Sequence, residues 1–214
     1  MSDPAALTDL LGLVAYGELV AFDRMAADAR LAPDLTRRAL LSEMAAREIT
    51  HYRRLADRLT ELGMRPEEAM RPYVTALQSY HDSTQPKDWL EALTKAYVGD
   101  AVADDFLREI AGQLAEPDRQ LVLDVLHDSR YDEFAGREIR AAIVADPRLA
   151  NRLSMWARRL VGEALSHAGR VAAERAALTT LLVAPTGDPG AAQALFKRLT
   201  AAHTGRMAAV GLNN

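Results

Sequence analysis

The chain has 214 residues, of which 49% are hydrophobic and 26% charged, with a formal net charge of −4. That length and balance suit one soluble globular core, and a mildly acidic chain has no general attraction to nucleic acid. Cysteine is absent, which excludes disulfides, zinc–thiolate sites and thiol nucleophiles and fits a cytoplasmic protein.

Met1-Ser2-Asp3-Pro4 carries neither the basic nor the apolar segment of a signal peptide, and no apolar run reads as a membrane span. Sustained period-two alternation is missing, and the long apolar patterns all have helical period. The first helix is expected from Ala5 to Ala29, broken by Leu31-Ala32-Pro33-Asp34. The second runs from Leu35 to Leu62 and stops at Gly63. A crossover from Gly63 to Pro86 contains Pro66 and Pro72 and is partly helical around Glu67 to Tyr80. The third helix spans Asp88 to Leu114, and after Ala115-Glu116-Pro117-Asp118 the fourth reaches Val144. A fifth spans Arg148 to Leu182. Residues 1–183 thus read as one all-α domain, and residues 184–214 as a linker with a short amphipathic helix and tail. Two antiparallel hairpins joined by a long crossover, plus a fifth long helix, is the one-crossover arrangement of ferritin-like four-helix bundles.

The inward stripes carry unexpected polar residues. On the first helix Leu7, Leu11, Val14, Glu18, Ala21 and Met25 share a face, and on the second Leu41, Met44, Glu48, His51, Leu55 and Leu62 do. Glu18 and Glu48 lie symmetrically about Pro33, so a hairpin of equal helices places them at one height. The third helix has the stripe Leu90, Leu93, Tyr97, Asp100, Asp104, Leu107, and the fourth has Leu121, Val125, Asp128, Tyr131, Ala135. Burying such groups without partners costs roughly 2–7 kcal/mol for a neutral polar group and more for a charge. Four inward carboxylates and an imidazole form an oxygen-rich donor set for a pair of hard divalent ions. Glu48 and Asp128 bridge them in this reading, with His51 and Glu18 on one ion and Asp100 on the other. Asp104 is the alternate for Asp100.

A complete site wants Glu-x-x-His on the fourth helix too, where this chain has Asp128-Ser129-Arg130-Tyr131. Tyr131 reads as a phenolate ligand, as a redox-active neighbour of the metal, or as a sign that the second ion is lost. His127 lies on the wrong helix face to replace it. The competing reading is a bundle with a buried polar network and no metal. Glu163 and His167 form an i, i+4 pair, read as a polar surface pair or as a second ligand pair. The fifth-helix arginines Arg148, Arg152, Arg158, Arg159, Arg170 and Arg175 suggest a solvated or inter-subunit face, with RNA phosphate contact the minority reading. Tyr73, Tyr80 and His81 read either as the lining of a substrate entrance or as packing, and Trp89 and Trp156 as packing anchors.

The segments Val14-Ala15-Tyr16-Gly17-Glu18, Glu48-Ile49-Thr50-His51-Tyr52, Lys95-Ala96-Tyr97-Val98-Gly99-Asp100 and Arg159-Leu160-Val161-Gly162-Glu163-Ala164-Leu165 resemble an actinobacterial ferritin-like family. That family is similar to the tRNA hydroxylase acting on 2-methylthio-isopentenyl adenosine. The resemblance, over about residues 5–183, implies a non-haem di-iron monooxygenase that activates dioxygen and hydroxylates an unactivated carbon. It implies iron as the cofactor, with manganese or a mixed pair as the alternatives. Glu18, Glu48 and His51 match the first half-site. Asp100 and Asp128 stand where the hydroxylase has glutamates, and Tyr131 where it has a second histidine. The partners expected are dioxygen, an external electron donor, a modified tRNA substrate and a second copy of the chain in a homodimer. Iron or oxidant handling and a metal-free interaction module are the alternative functions.

Overall fold

The structure is a computed structural model that describes residues 4–126, 129–175, 178 and 191–213. Two long helices, α1 (Pro4–Asp28) and α2 (Leu35–Glu61), form the first hairpin. Its turn is fixed by Asp34, whose side chain accepts a hydrogen bond from the Arg37 amide (2.9 Å) at the start of α2. At the far end of α2 the Gly63 amide reaches the Thr60 carbonyl and the Met64 amide the Leu59 carbonyl, both at 2.9 Å. This Schellman pairing needs a left-handed residue, and Gly63 supplies it with φ 77°.

The crossover contains two short helices, α3 (Pro66–Met70) and α4 (Val74–Ser83). α3 lies directly on α1, because a Cβ on Gly12 would stand 2.3 Å from the Ala69 carbonyl oxygen. The third bundle helix is composite: α5 (Trp89–Thr94), a π-helical turn (Lys95–Asp100) and α6 (Ala101–Ala111). The expected fourth helix is likewise divided, into α7 (Asp118–Val125) and α8 (Ser129–Ala145), with Leu126 extended (ψ 153°) between them. α9 (Arg148–Glu174) packs on α4, α5 and the π turn. No strand occurs among the described residues.

Apolar side chains gather in two clusters. One contains Met25, Leu41, Met44, Leu93, Phe134, Ile139 and Leu153. The other contains Leu7, Leu11, Val14, Leu55, Leu59, Ile110, Val122 and Val125. On α1, α2 and the α5–α6 unit, the candidate ligands fall between the segments that feed these clusters. The bundle is therefore apolar, polar, apolar along its length.

Two further features depart from expectation. A last helix, α10 (Ala191–Ala209), docks on α6 and the π turn, and Met207, Val210 and Leu212 enter the first cluster. Segment Pro4–Leu31 is long and apolar enough to cross a membrane, although 56% of its most apolar 18 residues is buried within the bundle. Here the apolar length is that of a core helix, against which α2 packs.

Candidate metal centre

Glu18 projects from the middle of α1 at 6% exposure, and Glu48 from the middle of α2 at 5%. One helical turn beyond Glu48, the i, i+3 spacing puts His51 on the same face. Its Nδ1 stands 3.4 Å from Glu18 Oε2 and 3.4 Å from Glu48 Oε2. Among the described residues, the histidine and acidic side chains placed to hold one ion are these three, with ligand atoms all within 4.8 Å.

The spacing suits coordination better than direct hydrogen bonding. A hydrogen bond between ring nitrogen and carboxylate is normally about 2.7–2.9 Å. Two donor atoms each about 2.1 Å from one ion, at near-tetrahedral angles, lie about 3.4 Å apart. In the ion's absence the carboxylates draw a proton instead. Glu18 first and Glu48 second raise the His51 pKa from 6.5 to about 9, against the opposing effect of burial. Two carboxylates and a neutral imidazole carry a charge that one divalent cation cancels, so the residues fit a hard or borderline ion such as iron or manganese.

Of the other residues expected at the centre, none joins that three-residue group among the described residues. Asp100, at the end of the π turn, accepts a charge-assisted hydrogen bond from Arg24 Nη2 of α1. The Arg24 side chain is 8% exposed. Asp104 is buried one turn further along α6. Tyr131 is buried on α8, within electrostatic reach of Arg24, Asp100 and Asp28, and its phenol is held protonated chiefly by burial. Asp128 and His127 lie outside the described residues.

A second polar cluster thus adjoins the π turn, and the sequence reading missed its members Arg24, Asp28 and Lys95. Lys95 is 1% exposed, donates to the Thr84 carbonyl (2.9 Å), and lies 5.3 Å from the Tyr80 ring centre. Burial, with Arg24 adding repulsion, lowers its pKa to about 7. Burial raises that of Asp28. Tyr80 packs edge-on against His81 (4.9 Å between centres) and His167 (6.0 Å), and burial first, then Arg24 and Lys95, hold His81 neutral. Gly99 permits this packing, since a Cβ there would come within 2.9 Å of the Tyr80 hydroxyl. The available sequence signal was Arg24 and Asp28 at i, i+4, which marks a polar pair beginning nearly two turns past Glu18.

The remaining candidates resolve into packing and pairing. Tyr73 is fully buried in the second apolar cluster. His167 lies 3.8 Å from Glu163 and accepts from Arg170 (2.8 Å). On the same helix Arg148 pairs with Asp146 and Arg152 with Asp88 and Glu91, and just past its end Arg175 pairs with Asp9. Arg158 donates to the Asn213 carbonyl and Arg159 to that of Ser83. Trp156 donates to the Glu91 carbonyl (3.0 Å), and Trp89 stacks edge-on with Phe134.

A family model described as a ferritin-like domain of actinomycetes matches residues 3–185. No curated protein matches the chain.

Proposed function

The chain belongs to the ferritin-like domain family of actinomycetes, and from that premise we propose that it is a non-haem iron oxygenase that hydroxylates an organic substrate in the cytoplasm. The observation that carries this reading is the buried Glu18–Glu48–His51 group at mid-bundle, with the imidazole nitrogen 3.4 Å from each carboxylate. Bound there, iron would supply dioxygen activation. The residues supply the rest. Glu18 and Glu48 provide charge-neutralising oxygen donors, and His51 provides a nitrogen donor once its Nδ1 proton has left. The two apolar clusters flank the polar layer on either side.

Hydroxylation by dioxygen consumes two electrons and two protons, inserts one oxygen atom into a C–H bond and releases the other as water. The chain has no cysteine for an iron–sulfur relay and no glycine-rich dinucleotide fingerprint. The electrons therefore come from an external donor. The substrate reading, a modified adenosine of tRNA, rests on the likeness of four sequence segments to the tRNA hydroxylase. It gains nothing from α9, whose arginines are engaged within the chain.

The test is metal content and oxygen uptake. Full-length protein loaded with ferrous iron under anaerobic conditions and desalted should retain iron, and should consume dioxygen when reductant is added. Glu48→Gln should lose both properties while keeping its helical circular dichroism. Wild-type protein that retains no iron refutes the proposal.

One observation favours a second reading. With its pKa near 9, a protonated His51 already offsets one carboxylate, so a metal-free polar triad is chemically sound. Such a triad predicts that divalent ions leave the melting temperature unchanged.

A further inference from the structure

The polar layer has two halves, and the chain treats them differently. In the half built by α1 and α2, two carboxylates and one imidazole, from Glu18, Glu48 and His51, bring their ligand atoms within 4.8 Å of one another. In the half built by the π turn and α8, Asp100 meets a guanidinium and Tyr131 stands where a nitrogen ligand was expected. That guanidinium belongs to Arg24, on the same helix as Glu18 and nearly two turns further along.

We infer that this chain binds one metal ion and not two, because the buried Arg24 guanidinium, paired with Asp100 and faced by Asp28 and Tyr131, fills the second half of the polar layer. The inference rests on the metal reading of Glu18, Glu48 and His51 given above. It also departs from the two-ion expectation drawn from the sequence.

The chemistry of the second half supports it. Arginine is a permanent cation with a planar fork of donors, so it satisfies a carboxylate through hydrogen bonds that a spherical ion lacks. The Lys95 amine stands in the same neighbourhood, with Asp28 and Asp100 acting on it electrostatically. Asp100 is thus answered by the Arg24 guanidinium without any metal, and Asp28 lies within electrostatic reach of Arg24 and Lys95. A divalent ion placed beside Asp100 would have to displace a buried guanidinium or accept its repulsion. Tyr131 offers no easier route, since burial favours its protonated phenol and a phenolate ligand requires that proton to leave. The π turn is the local device that makes the arrangement. It carries Asp100 at its end and Lys95 at its start, and π segments inside α-helices are common at functional sites.

The experiment is a stoichiometry measured on the full chain. Protein is loaded anaerobically with ferrous iron or with Mn²⁺, desalted, and its metal-to-protein ratio determined by mass spectrometry. The electron paramagnetic resonance spectrum of the Mn²⁺ form is recorded in parallel. One ion per chain and the six-line signal of an isolated Mn²⁺ are expected. Two ions per chain, with the spectrum of an exchange-coupled pair, would overturn the inference while leaving the Glu18–Glu48–His51 centre standing. No retained metal would overturn the centre itself and the inference with it. A double variant, Arg24→Gln with Asp100→Asn, replaces the ion pair by two uncharged amides. It should keep the single ion with affinity changed by less than about tenfold. A larger loss, in protein with unchanged circular dichroism, makes Asp100 a ligand and refutes the assignment. Should the double variant fail to fold, the wild-type ratio and spectrum decide alone.

Discussion

Metal binding at Glu18, Glu48 and His51 must displace a proton, and this fixes how affinity depends on pH. The two carboxylates raise the His51 pKa from 6.5 to about 9 in the metal-free protein. Between those values the folded chain holds the proton that the unfolded chain has released. An ion must remove it to reach Nδ1, so apparent affinity should rise tenfold for each pH unit up to about 9 and then level off. At pH 7 this amounts to a roughly 100-fold penalty relative to the plateau, or about 3 kcal/mol. The same shift sets the stability of the metal-free chain. A raised folded-state pKa contributes stability that is fully present below 6.5 and is lost as pH rises through about 9. Its ceiling is about 3 kcal/mol, and less is realised because the ring is only half buried and solvent screens it. Mn²⁺ titrations followed by electron paramagnetic resonance at pH 6, 7, 8 and 9 measure the slope. A slope near one decade per unit, accompanied by loss of metal-free stability over the same range, is expected. An affinity independent of pH between 7 and 9 would show that His51 is not protonated by its neighbours and would refute the electrostatic reading.

The other predictions concern packing and charge. Gly12→Ala places a methyl 2.3 Å from the Ala69 carbonyl oxygen. It should destabilise the chain by about 1–3 kcal/mol, more than the helix-propensity gain of roughly 1 kcal/mol, and an unchanged or raised urea midpoint would contradict the close α1–α3 contact. Removing residues 191–214 strips Leu195, Leu199, Met207, Val210 and Leu212 from buried positions. At about 1.5–3 kcal/mol each this approaches the whole stability of a domain, so the truncated chain should aggregate or lose its cooperative melt. Glu48→Leu should abolish metal retention, because it removes one of the two carboxylate donors. A large loss of metal-free stability would mark Glu48 as an essential member of a structural network.

What the sequence revealed and what it concealed have physical causes. Helical periodicity is imposed by burial, so the α1 and α2 stripes and the Glu18–Glu48–His51 group could be read from spacing about Pro33. The second hairpin resisted the same treatment. A π turn adds a residue to the helical repeat, so the face of the third helix shifts at Lys95–Asp100 and a uniform 3.6 period misplaces the residues of α6. The division after Val125 similarly breaks the register of the fourth helix. Arg24 lies beside the α1 stripe, where arginine usually marks a solvated face, yet it is the partner of Asp100. The C-terminal helix is legible as a short amphipathic piece after the linker of Pro185 and Gly187 to Gly190, but its docking on the bundle is not. Its anchors cluster at the far end, in Met207, Val210 and Leu212, beyond what an amphipathic pattern announces.

An anomalous-scattering map, recorded at the iron edge from crystals of the iron-loaded protein, decides whether the Glu18–Glu48–His51 group is a metal centre. A single peak per chain is predicted, about 2.0–2.2 Å from carboxylate oxygens of Glu18 and Glu48 and from His51 Nδ1, with Arg24 still on Asp100. A map with no peak among those three side chains would contradict the metal reading.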